Sequence, residues 1–423
     1  MSESHDPYKA LRHPEYRWFL LGSMPLFMAG QIQSLVMGWQ VYEITHDPLS
    51  LGLIGLAEAI PFLGLSLLGG WAADRHERRN LSMAAIGVLL TGALILLLLN
   101  AGGRPQVAWP FYLVQALSGL ARAFYRPAYN ALGTELVPRE AYQNAATWRS
   151  SVFFSATVVG PAVGGLLYAF GGSQVAYGCQ AAFIGFSLFS LSRVRRRPRP
   201  AVAPSPLLAS MAEGIRFVVS HRLVLSALSL DLFAVLFGGA VALLPAFASD
   251  VLHVGPRGLG LLRAAPAVGS VLMSLVLAHW PPRRGAGKVL LWCVAGFGLT
   301  WVGFAWSTSM PLSWTLLAVG GALDNVSVVL RGTLVQMETP LDMMGRVQAI
   351  NGFFIGSSNE LGAFESGLTA RLFGTVPSVM LGGCVTLLVV AITAWRVPEL
   401  RKLVRLSGEP RDESPAQAAP TSG

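Results

Sequence analysis

A chain of 423 residues that is 53% hydrophobic and only 13% charged is too apolar for a soluble protein of several domains and falls among polytopic membrane proteins. A formal net charge of +9 raises the question of nucleic acid. The Lys and Arg residues, however, gather at alternate loops and leave little more than Arg104 and Arg257 in the others, which fits the positive-inside rule and argues against a nucleic-acid partner.

Residues 1–15 are polar and lack a cleavable signal pattern, so the first apolar run is expected to act as an uncleaved insertion signal. Runs of about 20 apolar residues, enough to cross the hydrocarbon as a helix, fall at 17–41, 51–73, 81–99, 109–133, 147–170 and 175–193. Six more fall at 222–248, 258–280, 288–307, 312–336, 347–371 and 376–395. The expected fold is all-α: twelve transmembrane helices, here called spans one to twelve, in two six-helix bundles covering 1–193 and 222–396. Between spans two and three, Gly70-Trp71-Ala72-Ala73-Asp74-Arg75-His76-Glu77-Arg78-Arg79 is a short, arginine-dense turn that belongs in the cytoplasm. The segment 194–221 begins with Arg195, Arg196, Arg197 and Arg199, continues through four prolines between Pro198 and Pro206, and reads as a cytoplasmic linker. In it Leu207, Leu208, Met211, Ile215, Val218 and Val219 recur at helical spacing around Glu213 and Arg216, the pattern of an amphipathic helix on the inner leaflet. The tail 397–423 is cytoplasmic on the same count, and from Gly408 its composition is that of a disordered segment. Cys179, Cys293 and Cys384 each lie inside an apolar run, far apart, so they read as core packing residues, with no disulfide framework and no metal site. No cofactor is implied.

The halves form a repeat. One offset of 202 residues carries Pro138 to Pro340, Gly160 to Gly362 and Gly165 to Gly367, landmarks in the same order at corresponding places. In span five, Gly160-Pro161-Ala162-Val163-Gly164-Gly165 combines a proline that removes a helix donor with glycines that let a neighbouring backbone come close.

Gly70, Asp74, Arg75, Arg78 and Arg79 give the spacing G-x-x-x-D-R-x-x-R-R, which resembles the loop signature between the second and third helices of the major facilitator superfamily, with Glu77 in place of the last glycine. Gly160, Pro161, Gly164 and Gly165 resemble that superfamily's antiporter motif, which accompanies exporters. The segments 73–79 and 339–346 further resemble the enterobactin exporter branch, which includes macrolide efflux proteins. The resemblance implies a six-plus-six architecture in the cell inner membrane. It also implies a cavity lined by spans one, four, seven and ten, and a moving interface made by spans two, five, eight and eleven. The arginine motif of proton antiporters in span four is not matched; Gln115 stands about where its arginine would fall.

Ionisable groups inside spans are costly in hydrocarbon and mark cavities, partners or pathways. They are Glu58 (span two), Arg122 and Arg126 (four), Asp231 (seven), Arg263 (eight), Asp324 and Arg331 (ten), and Glu360 and Glu365 (eleven). Arg122 and Arg126, one turn apart, are expected to face the cavity and suit a carboxylate, phosphate or catecholate, unless they belong to an internal network with Asp231 or Asp324. Asp324 stands seven residues before Arg331 on the same face, which favours such a network. Asp231, near the midplane, is a proton carrier or cation contact, or else a permanent salt bridge. Glu58, Glu360 and Glu365 belong to spans that should meet across the interface. A buried carboxyl without a fixed cation is what proton antiport needs, unless such acids stay protonated and hydrogen-bonded and simply hold one state together. The coupling candidates are Glu58, Asp231, Asp324, Glu360 and Glu365, with Glu58 and Glu360 preferred because Asp231 and Asp324, which with Arg331 are also candidate cavity residues, have arginines to keep them ionised. Gln31, Gln33, Gln40, Gln115 and Tyr125 are candidate substrate contacts, though glutamines in bundles also serve as interhelical hydrogen-bonding groups.

Asp74 is expected to act as a latch. Its carboxylate would meet the N-terminus of span eleven, near Gly345 to Ala349, and hold an outward-facing state, while Arg75, Arg78 and Arg79 bind lipid phosphates or nearby acids. No G-x-x-x-x-G-K-[ST] phosphate loop occurs. The expected function is therefore secondary active export of a small amphipathic or anionic organic compound by a monomer, in exchange for protons through alternating access. A lipid or lysolipid flippase is the nearest alternative. A membrane-embedded sensor or enzyme is disfavoured by the short loops.

Overall fold

The structure, a computed structural model, describes residues 6–103, 105–197, 207–280, 285–340 and 343–402, without side chains at 207–211 and 349. Arg104, the segment 198–206 with Arg199, Leu341, Asp342 and the tail from Gly408 lie outside the described residues, as do the side chains of Leu207, Leu208, Met211 and Ala349.

All regular structure among the described residues is helical. Span one is Pro14–Thr45, span two Pro48–Arg75, span three Arg78–Ala101 and span four Trp109–Glu135. Spans eight to twelve are Gly255–His279, Ala286–Trp306, Met310–Glu338, Met344–Phe373 and Thr375–Arg396. Local chemistry sets several of these starts. Proline stands in the first turn of spans one, two, four, eight and ten, where its missing N–H leaves no bond unmade. Asp47 caps span two, its Oδ1 accepting from the Leu49 amide at 3.0 Å.

Spans five and six form one helical run, Tyr142–Ser192, broken only at Gly172 (φ 67°), a conformation that glycine adopts without strain. Before the break, Gly160 and Gly164 lie against Gln31 and Ile32 of span one. After it, Gln180 bonds Gln33 at 2.7 Å and Ser190 bonds the Trp18 carbonyl at 2.5 Å, so the chain doubles back along the same helix. Nine helices of the described residues are long and apolar enough to cross a membrane, this doubled run counting as one. Trp109–Glu135 and Met344–Phe373 are long enough but more polar, the first through Arg122 and Arg126 and the second through Glu360, Glu365 and Arg371.

Span seven departs from the expected 222–248. Its α-helix stops at Gly238, and the chain goes on through a 3-10 turn at Ala240–Leu243 and a π turn at Phe247–Val251. The Gly238-Gly239 pair weakens the helix at this point. Gly238 also packs so closely on Thr386 of span twelve that a Cβ would collide. The linker helix, Leu207–Ser220, docks on the C-terminal half: Val218 is buried with Val224, Val335 and Ile350, and Glu213 pairs with Arg346 at 2.7 Å. Of the cysteines, Cys293 is buried and Cys179 partly so, but Cys384 is exposed on the helix surface, which corrects its reading as a core residue.

The repeat governs the packing. Gly160 rests on span one, and its counterpart Gly362 rests on Leu236 of span seven. Gly165 touches Pro256 and Gly260 of span eight, while Gly367 touches Pro48 and Gly52 of span two. Gly119 brings span four against Glu58 of span two, and Gly321, 202 residues on, brings span ten against Pro266 of span eight. Such glycine contacts allow backbone-to-backbone approach.

The two ends of the molecule differ. At the end opposite the arginine-rich loops, hereafter the far end, a single core joins both halves through Ile32, Trp39, Phe247, Leu259, Trp301 and Phe304. At the basic end each half has its own core, one around Tyr16, Phe19 and Tyr129 and the other around Leu230, Leu290 and Leu330. The halves are closed together at the far end and part toward the basic end.

Candidate substrate cavity

Between the halves lies a cavity of about 590 Å³. Gln31 and Ser34 of span one, Glu58, Gln115 and Arg122 of the N-terminal half, and Arg263, Asp324 and Glu360 of the C-terminal half line it, and Phe153, Phe154, Phe297 and Trp301 supply aromatic wall. Broken span seven contributes Val235, Gly239, Val241 and Ala242, an instance of irregular backbone at depth where it borders a cavity. A side chamber of about 230 Å³ adjoins it, sharing Gln31, Ser34, Arg122 and Phe153 and adding Gln33, Tyr125 and Arg126.

The cavity's charges are unevenly paired. Arg122 forms an ion pair with Glu58, and Glu58 also accepts from Gln115. This corrects the expectation of a Glu58 free of any fixed cation. The cause is Gly119, whose lack of a side chain lets spans two and four touch at the Glu58 backbone and sets Arg122, one turn on, beside the carboxylate. Glu360 lies close by: its Oε2 is 3.6 Å from the place a Cβ on Gly55 would occupy, and Gly55 is one turn from Glu58. Neither Glu360 nor Asp324 has an ion-pair partner among the described residues.

Several expected cavity residues lie outside both chambers or border only the side chamber. Asp231 and Arg331 pair with each other, both under 9% exposed, and border neither chamber. The network expected between Asp324 and Arg331 is therefore not made, because Arg331 turns to span seven. Glu365 borders neither chamber. Arg126 is exposed and stands 5.5 Å over the Phe62 ring, in the side chamber, so it does not share Arg122's acid. Gln33 is interhelical: its amide donates to Gln115 at 3.1 Å and Ser118 at 3.0 Å and accepts from Gln180. Gln40 is held by Asn100 and Tyr177. Gly160, Pro161, Gly164 and Gly165 form the contacts of span five with spans one and eight rather than cavity wall.

The loop at the basic end is open in this state. Asp74 is exposed, without a hydrogen-bond or ion-pair partner among the described residues, and Gly70 and Gly345 have open space around them. Arg78 binds Glu135 at 2.5 Å, Arg79 donates to the Leu191 and Ser192 carbonyls, and Arg75 lies 4.7 Å over Trp71. All three arginines are thus engaged within the N-terminal half, two by polar contacts and Arg75 by an aromatic ring.

The sequence reading gave no role to Arg263, Ser34 or the Phe153-Phe154 pair. Arg263 carried a signal, being a cation inside an apolar run.

The family model described as transmembrane secretion effector matches residues 5–420. The chain belongs to that family. Like the rest of this group within the major facilitator superfamily, it is a membrane transporter and not an enzyme. It is 28% identical over 397 residues to the enterobactin exporter EntS of Shigella flexneri, covering 92% of this chain and 93% of that one. EntS of Escherichia coli O139:H28 is 27% identical over 394 residues, with the same coverage. Among solved structures, a bacterial homologue of the human lysosomal transporter Spinster, in an inward-facing and unoccupied conformation, superposes with a TM-score of 0.70 at 15% identity, over 92% of this chain and 96% of that one. A mutant of the nucleoside transporter NupG gives 0.70 at 11% identity, over 90% and 100%. These two likenesses bear on the fold.

Proposed function

We propose that this family member exports a small amphipathic or anionic organic compound, siderophore-like in size and polarity, from the cytoplasm in exchange for protons, by alternating access. The observation that carries the proposal is the pair of cavity carboxyls, Asp324 and Glu360, that lack a fixed cation while Glu58 has one. An exporter without an ATP site must draw on an ion gradient, and such carboxyls are the groups that load and release protons. Ionised Glu360 is a second carboxylate beside the Glu58–Arg122 pair and competes for that guanidinium; protonated Glu360 leaves the pair undisturbed. Similarity to proteins named enterobactin exporters supports the direction and the substrate size. In this reading the basic end faces the cytoplasm with both termini, and the protein acts as a monomer in the inner membrane, its free basic groups meeting lipid headgroups. The units 1–193 and 222–396 rock about the far end, with 194–221 as linker and 397–423 as tail. Asp74 engages the N-terminus of span eleven only in the outward-facing state.

The test is substrate or dye flux in proteoliposomes under an imposed pH gradient. Wild type should concentrate substrate, and Glu360→Gln or Asp324→Asn should lose uphill accumulation while keeping exchange. Gradient-independent flux in wild type would remove proton coupling; full accumulation by both variants would move the coupling group elsewhere.

A further inference from the structure

Among the described residues, Arg263 is a cation without a counter-charge. It enters the cavity from span eight, two turns from Gly255 at the far end, and its Nη1 donates to Ser34 Oγ of span one at 2.9 Å. Its Nε is buried with no partner, and no carboxylate among the described residues is in ion-pair range. The other guanidiniums inside the spans are accounted for: Arg122 by Glu58, Arg331 by Asp231, and Arg126 by exposure and the Phe62 ring.

The nearest helix with an acid in the cavity is span ten, and its register explains why Asp324 does not neutralise Arg263. Gly321 lies against Pro266, and Ser270 Oγ donates to the Gly321 carbonyl at 2.9 Å. The two spans both run from the far end to the basic end. Arg263 is one turn before Pro266 and Asp324 one turn after Gly321, so about 9 Å of axial rise separates them. The acid and the base remain apart at different depths of one cavity.

A guanidinium held in a largely desolvated wall without an anion is costly, and its planar fork matches a planar oxyanion. We propose that Arg263 is the site that holds an anionic oxygen group, a carboxylate or an equivalent planar oxyanion, of the transported compound, with Ser34 orienting the guanidinium. The ligand's head lies at the closed end of the cavity, and its apolar body extends along the aromatic wall toward Asp324 and Glu360. The arginine pair at 122 and 126 is thereby replaced as the anion-recognising element. This inference rests on the reading of the cavity as the transport site.

The test uses the full chain in lipid nanodiscs and two probes of equal shape, 1-naphthoate and its neutral amide 1-naphthamide, with apparent affinities taken from ligand-dependent shifts in Tm. Wild type should prefer the carboxylate by about tenfold, the size of one charge-assisted contact. Arg263→Gln should abolish that preference while still binding the amide, Arg263→Lys should keep part of it, and Ser34→Ala should keep most of it. If Arg263→Gln does not fold, Arg263→Lys decides: preference equal to wild type overturns the assignment. So does an unchanged preference in Arg263→Gln, or a wild type that binds neither probe or both alike. The proteoliposome flux assay separates the two proposals. Flux that follows the pH gradient without any anion preference overturns only Arg263, whereas anion-selective flux that ignores the gradient overturns only proton coupling.

Discussion

The far end and the basic end hold their helices together in different ways. At the far end, beside contacts kept within one half such as Tyr168 to Glu43 and Gln40 to Asn100, other contacts cross between halves: Tyr42 bonds Asp250, Arg371 pairs with Asp47 at 3.5 Å, and Arg257 sits 4.2 Å over Phe170. At the basic end the ion pairs among the described residues stay within a half, as Arg78–Glu135, Arg331–Asp231 and Arg346–Glu213 do. The basic-end pairs therefore maintain each bundle, and the far-end contacts maintain one arrangement of the two bundles. A charge can be buried in either kind of place, and only its partner's half tells which job it has.

The sharpest way to break this contrast is Asp231→Ala. It leaves Arg331 buried without an anion, and the expected loss is about 3–5 kcal/mol of stability, seen as a large drop in Tm, with much of it restored when Arg331→Met is added. A Tm close to wild type for Asp231→Ala would show that the pair is not structural. Gly165→Leu should do the reverse. A side chain there meets the Pro256 carbonyl, so the far end is wedged open with a smaller loss of Tm. Spin labels at 173 and 254 should move apart, and an unchanged distance distribution would mean that this contact does not define the closed state. Asp74→Asn should have the mildest effect. Because Asp74 is unengaged here, the variant should leave this state and ligand binding intact and only deplete outward-facing molecules, as measured between labels at the far ends of spans two and eight. Lost binding with unchanged distances would contradict the latch.

Most helix positions were legible because apolar runs and first-turn prolines act locally; observed ends fall within a few residues of the runs. The break in span seven was not, since Gly238 and Gly239 sit inside a run whose hydropathy is unbroken. The repeat was legible down to individual glycines, and the packing of Gly160, Gly165, Gly362 and Gly367 follows it. Charge pairing was legible only as a set of members. Seven-residue spacing put Asp324 and Arg331 on one face, but helix rotation and depth, fixed by contacts such as Gly321 on Pro266, gave Arg331 to Asp231. Arg263 was visible as an intramembrane cation, yet its lack of an acid partner among the described residues is a three-dimensional fact with no trace in local sequence.

The far-end seam combines two kinds of surface: glycine backbone, with Gly165 on Gly260 and Gly52 on Gly367, and the apolar core shared by Ile32, Trp39, Phe247 and Leu259. Separating the glycine contacts uncovers little hydrocarbon and separating the shared core uncovers more, and the heat capacity of a conformational step scales with the apolar area it uncovers. The heat-capacity change of switching should therefore come from the shared core and not from the glycine contacts. Trimming a core side chain such as Leu259 is then expected to flatten the temperature dependence of the ratio of the two states.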